Sequence, residues 1–156
     1  MILNRMALGL SIAMVLAVAG CGGDDPLTGT WSNDSCYGSS AKPTGVEECK
    51  TSLKFSDDLT FELRSEEVAM PATATAPGCT TTREIKGQKW STDGKTFTLE
   101  GTGKATVERT NCVNATDEFQ AAPTPDIKIP TGSSPYTIVD ESLTIQSGPL
   151  KGTYTR

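Results

Sequence analysis

The chain has 156 residues, a length that fits one domain of ordinary size. It carries 14 Lys and Arg against 19 Asp and Glu, a net charge of −5, and no histidine. This acidic balance argues against a nucleic-acid partner, because nucleic-acid binding needs a basic surface. Without histidine, a Gly-x-Ser-x-Gly motif or a phosphate-cradling loop, the usual catalytic arrangements are missing. We therefore predict that the protein is not an enzyme and needs no cofactor.

The first twenty residues have the organisation of an export signal. Asn4 and Arg5 precede an uncharged apolar run over residues 6–19. A helix needs about 20 apolar residues to span a bilayer, so this run is too short for a permanent membrane span. Its length is typical of the apolar core of a signal peptide. We predict a signal peptide over residues 1–20.

The segment that ends this signal resembles the lipobox of bacterial lipoproteins. Val18-Ala19-Gly20-Cys21 places small residues directly before a cysteine. The resemblance implies cleavage before Cys21, lipidation of its thiol and anchoring to the cell envelope. Buried acyl chains hold such an anchor, because each methylene contributes about 0.8 kcal/mol. Gly22 stands where Asp would favour retention at the inner membrane, so in a cell with two membranes we expect the outer one.

The remaining chain divides into a tether and one domain. Residues 21–26 form the lipidated N-terminus and a short polar tether, and residues 27–156 form a single β domain. Removal of the signal takes away one charged residue, Arg5, which leaves 13 basic and 19 acidic groups. This surplus of acidic groups argues against broad electrostatic adhesion to anionic lipid.

Four cysteines follow Cys21, at positions 36, 49, 79 and 112. An even number in an exported domain predicts two disulfides among Cys36, Cys49, Cys79 and Cys112. We predict no metal site, because the chain has no C-x-x-C pair and no histidine. Closeness along the chain favours Cys36 with Cys49 and Cys79 with Cys112. In a strict up-and-down meander, however, Cys112 would lie at the opposite end of the sheet from Cys79, so pairing of Cys36 with Cys112 stays an alternative.

The body of the domain has the alternating apolar and polar pattern of β-strands. Strand-like segments occupy residues 53–55, 59–63, 83–90, 96–99, 104–108, 136–139, 143–145 and 152–156. Asp93-Gly94 predicts a tight hairpin turn, since Gly supplies the positive φ that such a turn requires. Gly101-Thr102-Gly103 is interpreted as another reversal of the chain. The pattern predicts an all-β fold, an antiparallel up-and-down barrel of about eight or nine strands, with a β-sandwich as the alternative.

The mature domain also resembles the lipocalins and lipocalin-like bacterial domains. Its opening Leu27-Thr28-Gly29-Thr30-Trp31 is similar to their Gly-x-Trp start, with support from Gly87-Gln88-Lys89-Trp90 and the closing segment 152–156. The resemblance implies a barrel in which Trp31 packs at one end. The chain departs from the family in its strand count and in a long insertion after Cys112. We expect Trp31, and likewise Trp90, Phe55, Phe61, Phe97 and Tyr154, to be packing residues.

Three stretches lack a strand pattern: residues 32–48, 69–78 and 113–135. The last is 23 residues long and proline-rich, and loops of that length are either functional or disordered. We interpret it as an insertion. A lid folded over an open barrel end through Phe119, Ile127 and Ile129 is the alternative.

Together these features predict an exported, membrane-anchored lipoprotein with a non-catalytic binding domain. The expected ligand is a small apolar or amphiphilic molecule held by the barrel. The alternative is a protein-interaction module, either an accessory of envelope assembly or an inhibitor of a foreign hydrolase.

Overall fold

A computed structural model describes residues 25–37, 42–70, 78–112, 117–123 and 129–156. The predicted signal, Cys21 and most of the tether lie outside these residues. No helix in the described ranges has the length and apolar character needed to cross a membrane. The strands are β1 (Gly29–Asn33), β2 (Val46–Phe55), β3 (Thr60–Ala69), β4 (Thr80–Thr92), β5 (Thr96–Glu100), β6 (Lys104–Thr110), β7 (Phe119–Pro123), β8 (Gly132–Val139), β9 (Ser142–Ile145) and β10 (Gly152–Thr155).

Eight of these strands form a closed ring of antiparallel neighbours. Its order is β3-β2-β1-β10-β9-β8-β5-β4, and β4 pairs back onto β3. Every β-strand edge in the ring is therefore paired, which removes the exposed edges that an open sheet would leave. This confirms the predicted up-and-down barrel and excludes the β-sandwich alternative.

β5 and β6 follow one another along the same edge of β4. The last residues of β4 pair with β5, from Lys89↔Glu100 to Thr92↔Phe97. Its first seven residues pair with β6. The predicted reversal at residues 101–103 is therefore wrong. Gly101 and Gly103 take positive φ angles of 89° and 27° and bend the chain. β5 and β6 nevertheless run in the same direction, both antiparallel to β4.

Gly103 stands at the point where β6 leaves the ring. A Cβ there would lie 2.9 Å from Gln88 Cγ and 3.2 Å from Ile85 Cγ2, so a larger residue would clash with these two side chains of β4. Beyond this bend β6 pairs with β7 instead of β8. The β6–β7 hairpin is thus an extension of the sheet outside the closed ring.

The alternating strand directions give the barrel two distinct ends. The lower end carries residues 25–28 and the turns at 56–59, 93–95 and 140–141. The upper end carries the connections β1–β2, β3–β4, β6–β7 and β9–β10. The hairpin predicted at Asp93-Gly94 is confirmed: Gly94 has a φ of 84°, and Asp93 Oδ1 accepts bonds from the amides of Lys95 and Thr96 at 2.9 and 2.7 Å.

Aromatic side chains fill the lower part of the barrel. Phe55 lies at the centre of the group, with ring centroids 5.0 Å from Phe61, 5.3 Å from Trp90 and 5.5 Å from Phe97. Burying a side chain of this size contributes about 1.5–3 kcal/mol. Trp31 is fully buried as well, and its Nε1 donates to Leu27 O at 2.8 Å. The prediction that these aromatics are packing residues is confirmed.

Candidate functional site

The interior of the barrel changes from apolar to polar toward the upper end. One layer of cross-strand neighbours is apolar and buried: Trp31, Leu53, Leu63 and Ile85. The next layer up is a row of four polar side chains, called here the polar row: Asn33, Thr51, Ser65 and Arg83. The upper interior is therefore chemically different from the aromatic lower part.

Strand geometry places the polar row on the inner face. Side chains alternate between the two faces of a strand, and directly paired residues share a face. Thr51 is two residues from the buried Leu53, and Ser65 two residues from the buried Leu63. Arg83 likewise stands two residues before Ile85. These four polar residues thus continue the inward-facing positions of the core.

Ser65 is the least satisfied member of the polar row. Its neighbour Thr51 donates its hydroxyl to Ser35 O at 2.6 Å, which ties the β1–β2 connection to the inner wall. Ser65 Oγ is fully buried and has no hydrogen-bond partner. A buried hydroxyl without a partner costs about 1–3 kcal/mol. Ser65 therefore keeps an unused hydrogen-bonding group inside the barrel.

A second unsatisfied oxygen lies deeper in the interior. Gln88 is fully buried, and its Nε2 donates to Pro130 O at 2.6 Å. Its Oε1 has no partner. Gln88 Oε1 can therefore accept a hydrogen bond, whereas the Ser65 hydroxyl can either donate or accept one.

Arg83 introduces charge into the upper interior. Its guanidinium forms an ion pair with Glu67, which lies on the inner face one layer above Ser65. The Arg83 side chain is partly exposed, but Nη1, the nitrogen that forms the pair, is itself buried. The pair still presents a fixed donor group and a fixed acceptor group at the mouth of the barrel.

Two tyrosines flank the polar row. Burial raises the pKa of Tyr37 to about 12. Burial also raises the pKa of Tyr154 to about 12, against a smaller lowering effect of its hydrogen bond with Asn33. The Tyr154 hydroxyl donates to Leu150 O at 2.9 Å. Both phenols remain protonated at neutral pH, so they serve as neutral hydrogen-bonding and packing groups.

Both disulfides lie at the upper end. Cys36 is bonded to Cys49 with a Cα–Cα distance of 5.0 Å, and Cys79 to Cys112 with a distance of 4.3 Å. The pairing favoured by closeness along the chain is confirmed. The meander argument against Cys79 with Cys112 is wrong, because β6 pairs with β4. Thr110, the last residue of β6, lies opposite Thr80, the first residue of β4, so the cysteines that flank these two residues are close together. The alternative pairing of Cys36 with Cys112 is excluded.

Part of the long insertion belongs to the sheet, with β7 outside the closed ring and the start of β8 inside it. Residues 119–123 form β7, and β8 begins at Gly132, so the prediction that this stretch lacks strands is wrong for both segments. Ile129 packs against the hydrophobic core and Pro130 is buried. Ile127 and the side chain of Phe119 lie outside the described part, and a lid built on them stays a hypothesis.

Among the described residues, no group of three or more Cys, Asp and Glu is arranged to hold a metal ion. The four cysteines in these ranges are used in the disulfides. The paired carboxylates are also separated by strand alternation: Glu67 faces inward, while Glu66 bonds to Arg64 on the outer face. The polar row therefore places amide, hydroxyl and guanidinium groups together on the inner face.

Comparison with known proteins gives no relative. No family model, no curated protein and no solved structure matches this chain.

The sequence carried a signal for the polar row that the strand predictions did not use. Phe61, Leu63, Ser65 and Glu67 occupy alternate positions of one strand and become progressively more polar. Such a gradient on one face is typical of a strand that runs from a core to an opening. The predicted strand stopped at Leu63, because the apolar alternation stops there.

Proposed function

We propose that this protein is an exported lipoprotein, acylated at Cys21, whose barrel is a non-catalytic binding domain for a small amphiphilic molecule. The single observation that carries the proposal is the buried, unpartnered Ser65 Oγ within the polar row. A ligand polar group that bonds to Ser65 offsets an existing desolvation cost, so recognition there is favourable. The apolar part of the ligand would lie toward the upper end, because the layer below the polar row, which includes Trp31 and Leu53, is already fully buried.

The two ends of the barrel support this arrangement. Asp25 opens the described chain at the lower end, four residues after Cys21. A lipid on Cys21 would therefore hold the lower end toward the membrane and leave the upper end open to the periplasm or the exterior. Because aromatic rings fill the lower barrel, the proposed ligand enters from the upper end and is short.

The test uses residues 22–156 secreted into an oxidising compartment behind an ordinary cleavable signal, which avoids competition from the anchor lipid. Carboxylates and alcohols of six to ten carbons are titrated while Trp fluorescence and the thermal midpoint are recorded. We expect saturable binding by at least one class. Because Trp31 lies directly below the polar row, its emission reports ligand entry.

Ser65→Ala and Ser52→Ala form a matched pair. Both remove one hydroxyl, but Ser52 pairs with Arg64 on the outer face. Loss of one neutral hydrogen bond weakens binding by roughly 3–10-fold, so we expect this loss for Ser65→Ala and none for Ser52→Ala. Equal effects of the two substitutions, or no response to any amphiphile, would refute the small-ligand proposal.

A protein partner is the second candidate, and a groove on the outer face at the upper end favours it. This groove measures about 480 Å³ and is lined by Asp34, Lys42, Glu47, Glu48, Cys49, Lys50, Glu66 and Val68. Its mixed charges suit a polar segment of another envelope protein. Photo-crosslinking from position 47 in intact cells tests this candidate. A discrete crosslinked species that disappears with Lys50→Glu supports it, and its absence leaves the small ligand as the better account.

A further inference from the structure

Two large apolar side chains are exposed at the lower end of the barrel. Leu59, in the β2–β3 turn, is 51% exposed, and Val139, at the end of β8, is 67% exposed. Leu59 has a φ of 61°, a conformation that favours Gly, Asn or Asp over Leu. Neither packing nor turn geometry therefore requires leucine at this position.

Nearby carboxylates bind back onto their own turns and leave these apolar groups uncovered. Asp58 Oδ1 accepts bonds from the amide and hydroxyl of Thr60 at 3.0 and 2.5 Å. These bonds lower the pKa of Asp58, so it stays ionised within its turn. Asp25 Oδ1 likewise accepts from the amide of Leu27 at 2.8 Å.

The start of the described chain lies beside the same end of the barrel. A shallow groove of about 370 Å³ separates it from the β4–β5 turn and β8. The groove is lined by Pro26, Gly94, Lys95, Tyr136, Thr137 and Ile138. Val139 is the next residue after Ile138, which lines this groove. Val139 is therefore close to Pro26, where the tether joins the barrel.

We infer that the lower end of the barrel docks on the surface of the membrane that holds the protein, with Leu59 and Val139 inserted at the lipid interface. The inference rests on the proposed acylation of Cys21. Asp25 is four residue steps from Cys21, and an extended chain spans at most about 3.6 Å per step, so the tether reaches only about 14 Å. A tether this short holds the lower end of the barrel close to the lipid bilayer. The turns at this end carry more acidic than basic residues, with Asp57, Asp140 and Glu141 against Lys95, so the docking surface that we infer is uncharged lipid.

The experiment uses the full acylated lipoprotein in phosphatidylcholine vesicles that contain a lipid with a nitroxide on its headgroup. The nitroxide quenches tryptophans that approach the headgroups, and Trp90 lies at the lower end, where its Nε1 donates to Ser56 O at 3.1 Å. We expect strong quenching of the native protein. In Leu59→Asn/Val139→Thr the ratio of docked to undocked protein should fall about 10-fold, which is equal to about 1.4 kcal/mol.

The substitutions are chosen so that the barrel still folds. Asn accepts the positive φ at position 59, and Thr retains the β-branching of Val139. Val139→Thr alone should give a smaller loss of quenching in the same direction. Met70→Gln is the matched control, because Met70 is 55% exposed at the upper end, and it should leave quenching unchanged.

The outcomes separate this inference from the proposed function. Acylated protein that floats with the vesicles, but is quenched equally in the native and double-substituted forms, overturns the docking inference alone. An equal loss for Met70→Gln overturns it as well. A mass spectrum that shows an unmodified Cys21, with protein that fails to float, overturns the acylation and the docking together.

Discussion

Replacing Arg156 by alanine removes the side chain that joins the end of β10 to the start of β1. Arg156 Nη2 donates to Pro26 O and Thr28 O, both at 2.6 Å. The guanidinium also lies 4.2 Å from the centre of the Trp31 ring. This contact is important for closure, because β1 and β10 share only one register pair, Ser32↔Thr155.

The loss of stability can be estimated from these contacts. Charge-assisted hydrogen bonds are worth about 1.5–3 kcal/mol each when shielded, but those of Arg156 are exposed, and we assign them about 1 kcal/mol together. An exposed cation–π contact adds about 0.5–1 kcal/mol. We therefore expect Arg156→Ala to lower the free energy of unfolding by about 2 kcal/mol. For a domain of this size, that corresponds to a fall of about 6–10 °C in the thermal midpoint.

Urea unfolding followed by Trp fluorescence measures this change. Arg156→Lys is the control: it keeps the positive charge over Trp31 but cannot bridge two carbonyls in the same planar geometry, so we expect about half the loss. A cycle that combines Arg156→Ala with Trp31→Phe should reveal a coupling of about 0.5–1 kcal/mol. A loss below about 0.5 kcal/mol for Arg156→Ala would refute the idea that this side chain holds β1 to β10.

Two further predictions concern the upper end. Replacing Cys79 and Cys112 by alanine opens a loop of 33 residues, and we expect a loss of about 3–4 kcal/mol in thermal unfolding without reductant; an unchanged midpoint would contradict this. Burial raises the pKa of Tyr37 and Tyr154 to about 12, above the ordinary value of 10, so folding favours the protonated phenols. Their stabilisation is complete below pH 10 and is lost as the pH rises from 10 to 12. Denaturation midpoints that stay constant over that interval, or phenolate absorbance that rises fully near pH 10 before unfolding, would argue against buried phenols.

Local sequence patterns predicted much of the barrel because they act over a few residues. The alternation of Phe61 and Leu63 identified β3, and Asp93-Gly94 identified the β4–β5 hairpin, since a turn of this kind depends on the φ angle of its own glycine. The even number of cysteines predicted two disulfides. None of these inferences required knowledge of a distant part of the chain.

The candidate site was harder to predict because its members come from separate strands. Asn33, Thr51, Ser65 and Arg83 form a row only once the register of β1, β2, β3 and β4 is set. Strand propensity treats each as an ordinary polar residue, and three of the four lie outside the predicted strands. Their shared burial is a property of the closed barrel.

The sequence by itself therefore determined the fold class, the positions of most turns and the packing role of the aromatic residues. Only the tertiary structure decided that β5 and β6 run along one edge of β4, and hence that Cys112 lies beside Cys79. The reason is that Gly101 and Gly103 permit either a reversal or a bend. The choice between them is made by the pairing of β6 with β4, in which the partner residues lie up to 30 residues apart along the chain.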